Sequence, residues 1–310
     1  AEEEKLEEGL SGSWSVTRLQ HLTACPYQFF AGDVLGLEPL EFPAPGLDPA
    51  RRGSLIHKAL KLFAEGLADN APDWPGDGAA AQRWLRRVVD IVLAELPDSP
   101  PRRAEHLRLL GEAPGEGILI SWLEQERLRA RDGWSFAAAE LSFAGLQVGG
   151  LSLKGRIDRV DCSHQGGVAV WDYKTGEPPG SEEVETALTE LQVPAYLDAL
   201  RRGAVEGFDA AGRPLSGGYI SLKDPDKIKV ESLKPGGGWN EFLDRWESLL
   251  AERLLPARSG AFPARPTPKP TGINDRDKSA CRYCSFFNLC GYFDDPANAG
   301  AGLDESGSDS

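Results

Sequence analysis

Two aspartates and a lysine, Asp158, Asp172 and Lys174, lie on two apolar runs, "GRIDRVD" and "VAVWDYKTG", joined by the polar, glycine-bearing "SHQGG". If residues 163–167 form the loop of an antiparallel hairpin, Cys162 faces Val168 and Asp158 faces Asp172. Facing side chains in such a pair have Cβ atoms roughly 4.5–5.5 Å apart, a distance at which like charges destabilise the sheet. A hard divalent cation with oxygen ligands removes that penalty and converts it into binding. Alternation along the second run puts Lys174 on the same face as Asp172, next to whatever such a cation holds. The plainer fate for these carboxylates is water, or pairing with Arg156 and Arg159. The flanking residues, however, are too apolar for exposed strands.

The cysteines form a second set. Cys281, Cys284 and Cys290 are spaced C-x2-C-x5-C, and Cys25 stands far upstream in "TACPYQFF". Five cysteines, an odd number in a chain whose start is acidic rather than signal-like, point to metal or cluster ligation rather than disulfides. Three close thiolates and one distant one can hold zinc or an iron-sulfur cluster, and the spacing does not choose between them. Cys162, at the end of the hairpin, is left over as a small apolar filler.

The elements that must position these residues follow from periodicity. "SVTRLQHLTA" opens with a cap signal and a short helical pattern, and "ARRGSLIHKALKLFAEGL" follows with apolar residues at helical spacing. Proline- and glycine-rich stretches near residues 70–78 and 97–101 separate further helices, so the front half is helical. From Trp134 the period changes to strands: "FAAAELSFAG", "LSLKGRIDRVD" and "GVAVWDYKTG", then a helix around "ELQVPAYLDALRR", a strand "GGYISLK" and a helix "WNEFLDRWESLLAERLL". That order predicts a mixed sheet with covering helices.

Composition sets the bounds. With 310 residues, 41% hydrophobic, the chain can bury a substantial core. No apolar run approaches the ~20 residues that span a bilayer, and the reading is of a soluble, intracellular protein. Methionine is absent even from position 1, which predicts a processed chain or a segment of a longer polypeptide. The net charge of -14 argues at first against a polyanionic partner. Residues 1–10 and 291–310 carry most of that charge, so any basic surface must be local. No GxxxxGK[ST] loop is present, so the segment carries no nucleotide-driven motor of its own.

"GRIDRVD" followed by "VAVWDYKTG" resembles the core motif of the PD-(D/E)XK nuclease superfamily, of the RecB/AddB type. The resemblance implies an α/β, restriction-endonuclease-like mixed sheet with flanking helices, a helical N-terminal half and a C-terminal cysteine-cluster segment. It implies that Asp158 and Asp172 bind Mg2+ or Mn2+, with the carbonyl of Tyr173 as a further ligand and Lys174 as the catalytic lysine. The chemistry asks for such residues: a phosphodiester is anionic, so a cation must neutralise developing charge, lower the pKa of water and hold the phosphate in line.

Three further segments extend the resemblance. "RGSLIHKAL" resembles the family's R-G-x-x-x-H-x-x-L helix, which makes His57 a metal ligand supplied from outside the sheet. Arg51, Arg52, Lys58 and Lys61 around it form the densest basic patch of the front half, a phosphate-contacting surface in expectation. "LQVPAYLDAL" places Gln192 and Tyr196 four apart on one helical face, resembling a Q-x-x-x-Y motif that supports the active site. Glu140 matches a family glutamate, with a structural salt bridge an equal reading. Cys25, Cys281, Cys284 and Cys290 resemble the pattern that holds a 4Fe-4S cluster in AddB-type nucleases, clipping the two ends of the domain together.

The expected division is a disordered N-terminus at 1–12, a helical part at 13–130, the nuclease core at 131–258, the cluster segment at 259–295 and a disordered acidic tail at 296–310. The resemblance implies a cytoplasmic, Mg2+-dependent deoxyribonuclease of double-strand-break repair, acting on single-stranded DNA ends, with a helicase domain or subunit as partner and no membrane contact. Two rivals stand beside it. One is the CRISPR-associated four-cysteine nuclease, whose chain is usually shorter. The other is a silent DNA-binding module, against which the intact Asp158, Asp172 and Lys174 argue.

Overall fold

The apolar runs that begin at Trp134 pair, with one short strand from the N-terminal end, into a mixed six-stranded sheet. It is seen in a computed structural model that describes residues 12–38, 46–113, 116–269, 279–282 and 284–299. The strands are β1 (Ser13–Ser15), β2 (Trp134–Val148), β3 (Leu151–Ser163), β4 (Val168–Lys174), β5 (Leu215–Ser221) and β6 (Lys229–Ser232). β3 organises the sheet. β2 runs antiparallel along one of its edges; on the other, β1 pairs in parallel with its beginning and β4 antiparallel with its end. β5 adds parallel to β4, and β6 lies antiparallel on β5.

β1 and β6 lie outside the expectation from sequence. β1 is three residues long, anchored by the fully buried Trp14, and β6 is a short, mostly exposed edge; neither is long enough to show a period.

The main helices are α1 (Val16–Ala24), α2 (Pro49–Glu65), α3 (Gly78–Leu93), α4 (Pro100–Leu110), α5 (Ile118–Arg131), α6 (Gln192–Arg201) and α7 (Gly238–Arg258). Their starts follow side-chain chemistry. Ser15 accepts from the Arg18 N–H at the start of α1, and Asp48, followed by Pro49, accepts from the Arg51 N–H at 2.8 Å to open α2. Among the described residues, no helix is long and apolar enough to cross a membrane.

β4 shows why helices are needed on both faces. Val168 and Val170 join an apolar cluster with α1, α6 and α7, whereas Ala169, Trp171 and Tyr173 join one with α2, α3, α4 and α5. A strand buried on both sides reads as the continuous run "VAVW" rather than as an alternation. The β4-to-β5 connection crosses through α6, which packs close because Gly217 has no side chain. A Cβ there would stand 2.7 Å from Val193 Cγ1 and 3.0 Å from Leu197 Cδ1. Gly217→Ala should therefore cost about 1–3 kcal/mol in urea unfolding, and parental stability would show that α6 has room to retreat.

The C-terminal segment lies against the N-terminal helices. Thr267 N–H donates to the Ala24 carbonyl at 2.8 Å, Tyr27 Oη donates to the Leu289 carbonyl at 3.3 Å, and the Phe286 ring faces Gly32. Of the terminal stretches expected to be disordered, residues 1–11 and 300–310 lie outside the described residues, and Pro296–Ala299 forms a helical turn.

Candidate active site

The hairpin has the expected register, Cys162 opposite Val168, through to Arg159 opposite Trp171. There the ladder stops, one pair short of the expected facing of Asp158 and Asp172. The reason lies in β3. Leu153 and Ile157 face the α1/α6/α7 cluster, and so does Val160, so the alternation slips by one residue around Asp158. The Tyr173 N–H, released from the ladder, donates instead to Asp158 Oδ2 at 3.1 Å. On the other edge, β2 pairs at Ala139–Arg159 and Leu141–Ile157 but not between them, where Glu140 has φ 57. A glutamate in left-handed backbone costs on the order of 1–3 kcal/mol and persists only where its surroundings impose it.

Both irregularities bring acidic groups toward one point. Asp158 sits between Glu140 on β2 and Asp172 on β4, and its carboxyl pKa is raised well above the ordinary range. Burial is the largest cause, followed by the Asp172 charge; the Tyr173 N–H and Lys174 only partly offset them. From outside the sheet, α2 buries Leu55, Ile56, Ala59 and Leu60 and thereby turns His57 inward. His57 Nδ1 stands 3.5 Å from Asp158 Oδ2, and the His57 ring meets the Tyr173 ring edge-on. One ligand atom each from His57, Glu140 and Asp158 lies within 4.8 Å of the others, the one such trio among the described residues. Glu140 also pairs with Arg156 at 2.7 Å, so the two readings of this glutamate coexist.

Asp172 is 1% exposed and lies beside the trio rather than within it. Its Oδ2 is buried without a hydrogen-bond partner, 3.1 Å from Lys174 Nζ but not aligned with it. Lys174 reaches Gln192 Oε1 at 2.6 Å and Glu190 Oε2 at 3.4 Å, with its ammonium 5.6 Å from the centre of the Tyr219 ring. Burial opposes charging this lysine, yet Asp172 and Glu190 more than offset it, and its pKa lies above the ordinary value. Gln192 Nε2 in turn donates to Tyr196 Oη at 3.4 Å. Burial, then the charges of Asp172 and Asp158, push the Tyr196 phenol well above its ordinary pKa, so it stays protonated.

All the residues expected at the centre from sequence, His57, Asp158, Asp172, Tyr173, Lys174, Gln192 and Tyr196, thus lie in one connected neighbourhood. Glu190 was not among them. Its position just ahead of α6 resembles any acidic residue at a helix start, and only the fold brings it to Lys174. The basic patch around His57 is different from the expectation. Arg52 pairs with Glu105 at 3.1 Å, Lys58 with Glu95, and Lys61 with Glu65 at 3.9 Å. Glu105 on α4 and Glu95 just after α3 lie far along the chain, Glu65 ends α2 itself, and together they mute the patch.

None of the five cysteines is in a disulfide. Cys25 lies at the junction between α1 and the short helix Pro26–Phe29. Burial raises its pKa, with a contribution from Cys290. Cys284 is pushed up to about 11, first by burial and then by the charges of Cys25, Cys281 and Cys290. The four thiols expected to act together therefore lie near enough to oppose one another's ionisation. Cys162 packs at the margin of the apolar core.

Comparison with known proteins agrees with this geometry. The model of the PD-(D/E)XK nuclease superfamily matches residues 13–291. An ATP-dependent helicase/deoxyribonuclease subunit, from Caldanaerobacter subterraneus subsp. tengcongensis, is 28% identical over 231 residues, 68% of this chain and 19% of its own length. The protein of the same name from Moorella thermoacetica is 29% identical over 236 residues, 68% of this chain and 20% of its own length. The chain thus spans about a fifth of the length of the curated relatives it matches. From β1 to the last cysteine, around an acidic, lysine-bearing hairpin, the chain belongs to the PD-(D/E)XK nuclease superfamily.

Proposed function

We propose that this chain is the nuclease part of a double-strand-break repair helicase-nuclease, hydrolysing single-stranded DNA from its ends with Mg2+ or Mn2+. The observation that carries the reading is the convergence of His57, Glu140 and Asp158 within 4.8 Å, beside the Asp172–Lys174 pair. Imidazole and carboxylate donors suit such an ion, and Asp172 Oδ2, which accepts no hydrogen bond and faces Lys174 Nζ at 3.1 Å, adds a further oxygen. His57, Asp158, Asp172 and the Tyr173 carbonyl, with Glu140 added by the geometry, would hold it. Once bound it would neutralise phosphate charge and make water easier to deprotonate.

The chain's own residues do the rest. Lys174, held charged, offers its ammonium to an anionic group beside Asp172. Gln192 anchors Nζ from the side, and Tyr196, kept protonated, fixes Gln192 in turn. The strained Glu140 and the early end of the β3–β4 ladder hold the carboxylates close before any ion arrives, a form of preorganisation.

The four cysteines fit a 4Fe-4S cluster that fastens the C-terminal segment to α1. Thiols that raise one another's pKa are relieved when iron takes their protons' place. The helicase named in the relatives' shared description supports a helicase partner.

The test has two arms. End-labelled single strands and duplexes incubated with the protein should be cut with Mg2+ or Mn2+, and cutting should stop on chelation. Intact strands under every divalent ion would overturn the nuclease reading. Protein purified without air should contain about four iron and four sulfide per chain. One zinc and no iron would overturn the cluster while leaving the nuclease standing.

A further inference from the structure

On the other side of β4 from Asp172, a cavity of about 540 Å³ opens between α2, α5, the start of β2 and the loop before α3. Trp74, Trp134 and Phe136 line it, with Glu126, Arg129 and Arg159 among its polar residues. Its volume falls in the range that takes a small organic ligand. None of its residues has a part in the chemistry described above, although Arg159 is the chain neighbour of Asp158.

The polar side is unusual. Arg159, 5% exposed, donates to Glu126 Oε2 at 2.5 Å, to Asp161 Oδ1 at 2.7 Å and to Tyr173 Oη at 3.1 Å. Arg129 pairs with Asp161, and its guanidinium lies 4.3 Å from the centre of the Trp171 ring. Two carboxylates and two guanidiniums cancel, and the further wall acid Glu65 pairs with Lys61 at 3.9 Å, so the site has no surplus positive charge with which to attract a phosphate. Yet hydrogen-bonding capacity is left over. Glu126 Oε1, Arg129 Nε and Nη1, and Trp122 Nε1 are buried without partners, and Glu126 is 8% exposed. An acceptor beside donors, walled by aromatic rings and electrically balanced, suits a neutral planar group with donors and acceptors along one edge.

The walls are held in place before any ligand arrives. Arg127 donates to the carbonyls of Pro75 at 2.9 Å and Gly76 at 2.8 Å, which ties the loop carrying Trp74 to α5.

We infer that this cavity binds one unstacked nucleobase of a single-stranded DNA substrate, its faces against the aromatic side chains and its edge toward Glu126 and Arg129. Stacking on aromatic side chains holds bases of single strands irrespective of sequence, and hydrogen bonds to the edge of an unstacked base add a base preference. Through the Arg159–Tyr173 hydrogen bond the occupied cavity also steadies the strand that carries Asp172 and Lys174. The inference rests on the single-strand nuclease reading.

The test uses short fluorescent single strands with Ca2+ in place of Mg2+, so that binding is read without cutting, and a parallel cleavage assay with Mg2+. Replacing successive nucleotides by abasic sites should reveal one position at which binding to the unaltered protein weakens about 10-fold. Trp74→Ala, on a surface loop, should weaken binding of the intact strand to a similar degree and bind the strand abasic at that position no more weakly still. Phe136→Ala serves as the second variant. Strands that are cut yet bind equally well with every abasic position, with Trp74→Ala and Phe136→Ala indistinguishable from the parent, would overturn the base site alone. If no strand is cut by the parent, the nuclease reading falls first.

Discussion

A Lys174→Met variant should cut single strands about 10³-fold more slowly than the parent, a loss of about 4 kcal/mol in transition-state stabilisation. Its affinity for the strand should change far less. The expectation follows from the position of Nζ, which is fixed by Gln192 at 2.6 Å and faces Asp172 at 3.1 Å. An ammonium held this way can contribute to charge that develops during the reaction without being needed to hold the rest of the DNA. Methionine keeps the length and removes the charge.

The same change leaves Asp172 and Glu190 facing each other without the cation between them. Breaking a buried pair in this way typically costs 3–5 kcal/mol, which should be discounted here because Lys174 and Glu190 are each about a quarter exposed. Adding Glu190→Gln should recover part of the lost stability and none of the lost activity. Full activity in Lys174→Met, or recovery of cutting in the double variant, would remove the lysine from the chemistry.

How far these residues could be read from the sequence depends on the range of the interactions that fix them. The hairpin was legible because a five-residue polar loop between two apolar runs sets a register, and the register holds as far as Arg159–Trp171. Four of the strands and the front helices were legible for the same reason, through local period and local caps. The slip of β3 at Asp158 was not, since its signature is Ile157 and Val160 packing on one face, a fact about the cluster beneath them. Glu140 was visible only as one acid in an apolar strand; its left-handed backbone depends on both neighbouring pairs. Glu190, and Glu95 and Glu105 that pair with the patch around His57, belong to contacts between elements distant in sequence. The cysteines lie between these cases, because their spacing shows three of them as a unit, and only the docking of residue 267 on residue 24 and of Tyr27 on Leu289 brings Cys25 to the others.

Asp158→Asn should yield a protein more stable than its parent when no divalent ion is present and less stable when one is. Asp158 is crowded by burial and by Asp172, which raise its carboxyl pKa well above the ordinary range. Asparagine keeps the oxygen that accepts from the Tyr173 N–H and discards the charge. Like charges in such positions cost up to about 1 kcal/mol, so the variant should melt up to about 1–2 °C higher in chelator at neutral pH.

The sign with pH follows. A carboxyl whose pKa is higher in the folded chain than in the unfolded one favours folding at low pH, and that contribution is lost as pH rises through the folded value. The advantage of Asp158→Asn is therefore greatest at neutral pH and fades on acidification toward the ordinary aspartate range, about pH 4. Saturating Mn2+ reverses the order. At about 100-fold excess over its Kd, an ion bound only by the folded parent adds about 2.7 kcal/mol, and the variant, with a ligand oxygen weakened, gains little of it. Melting curves in chelator and in Mn2+, at several pH values, check both halves. A variant no more stable than the parent in chelator, or one stabilised equally by Mn2+, would mean that the crowding at Asp158 is not what holds the ion.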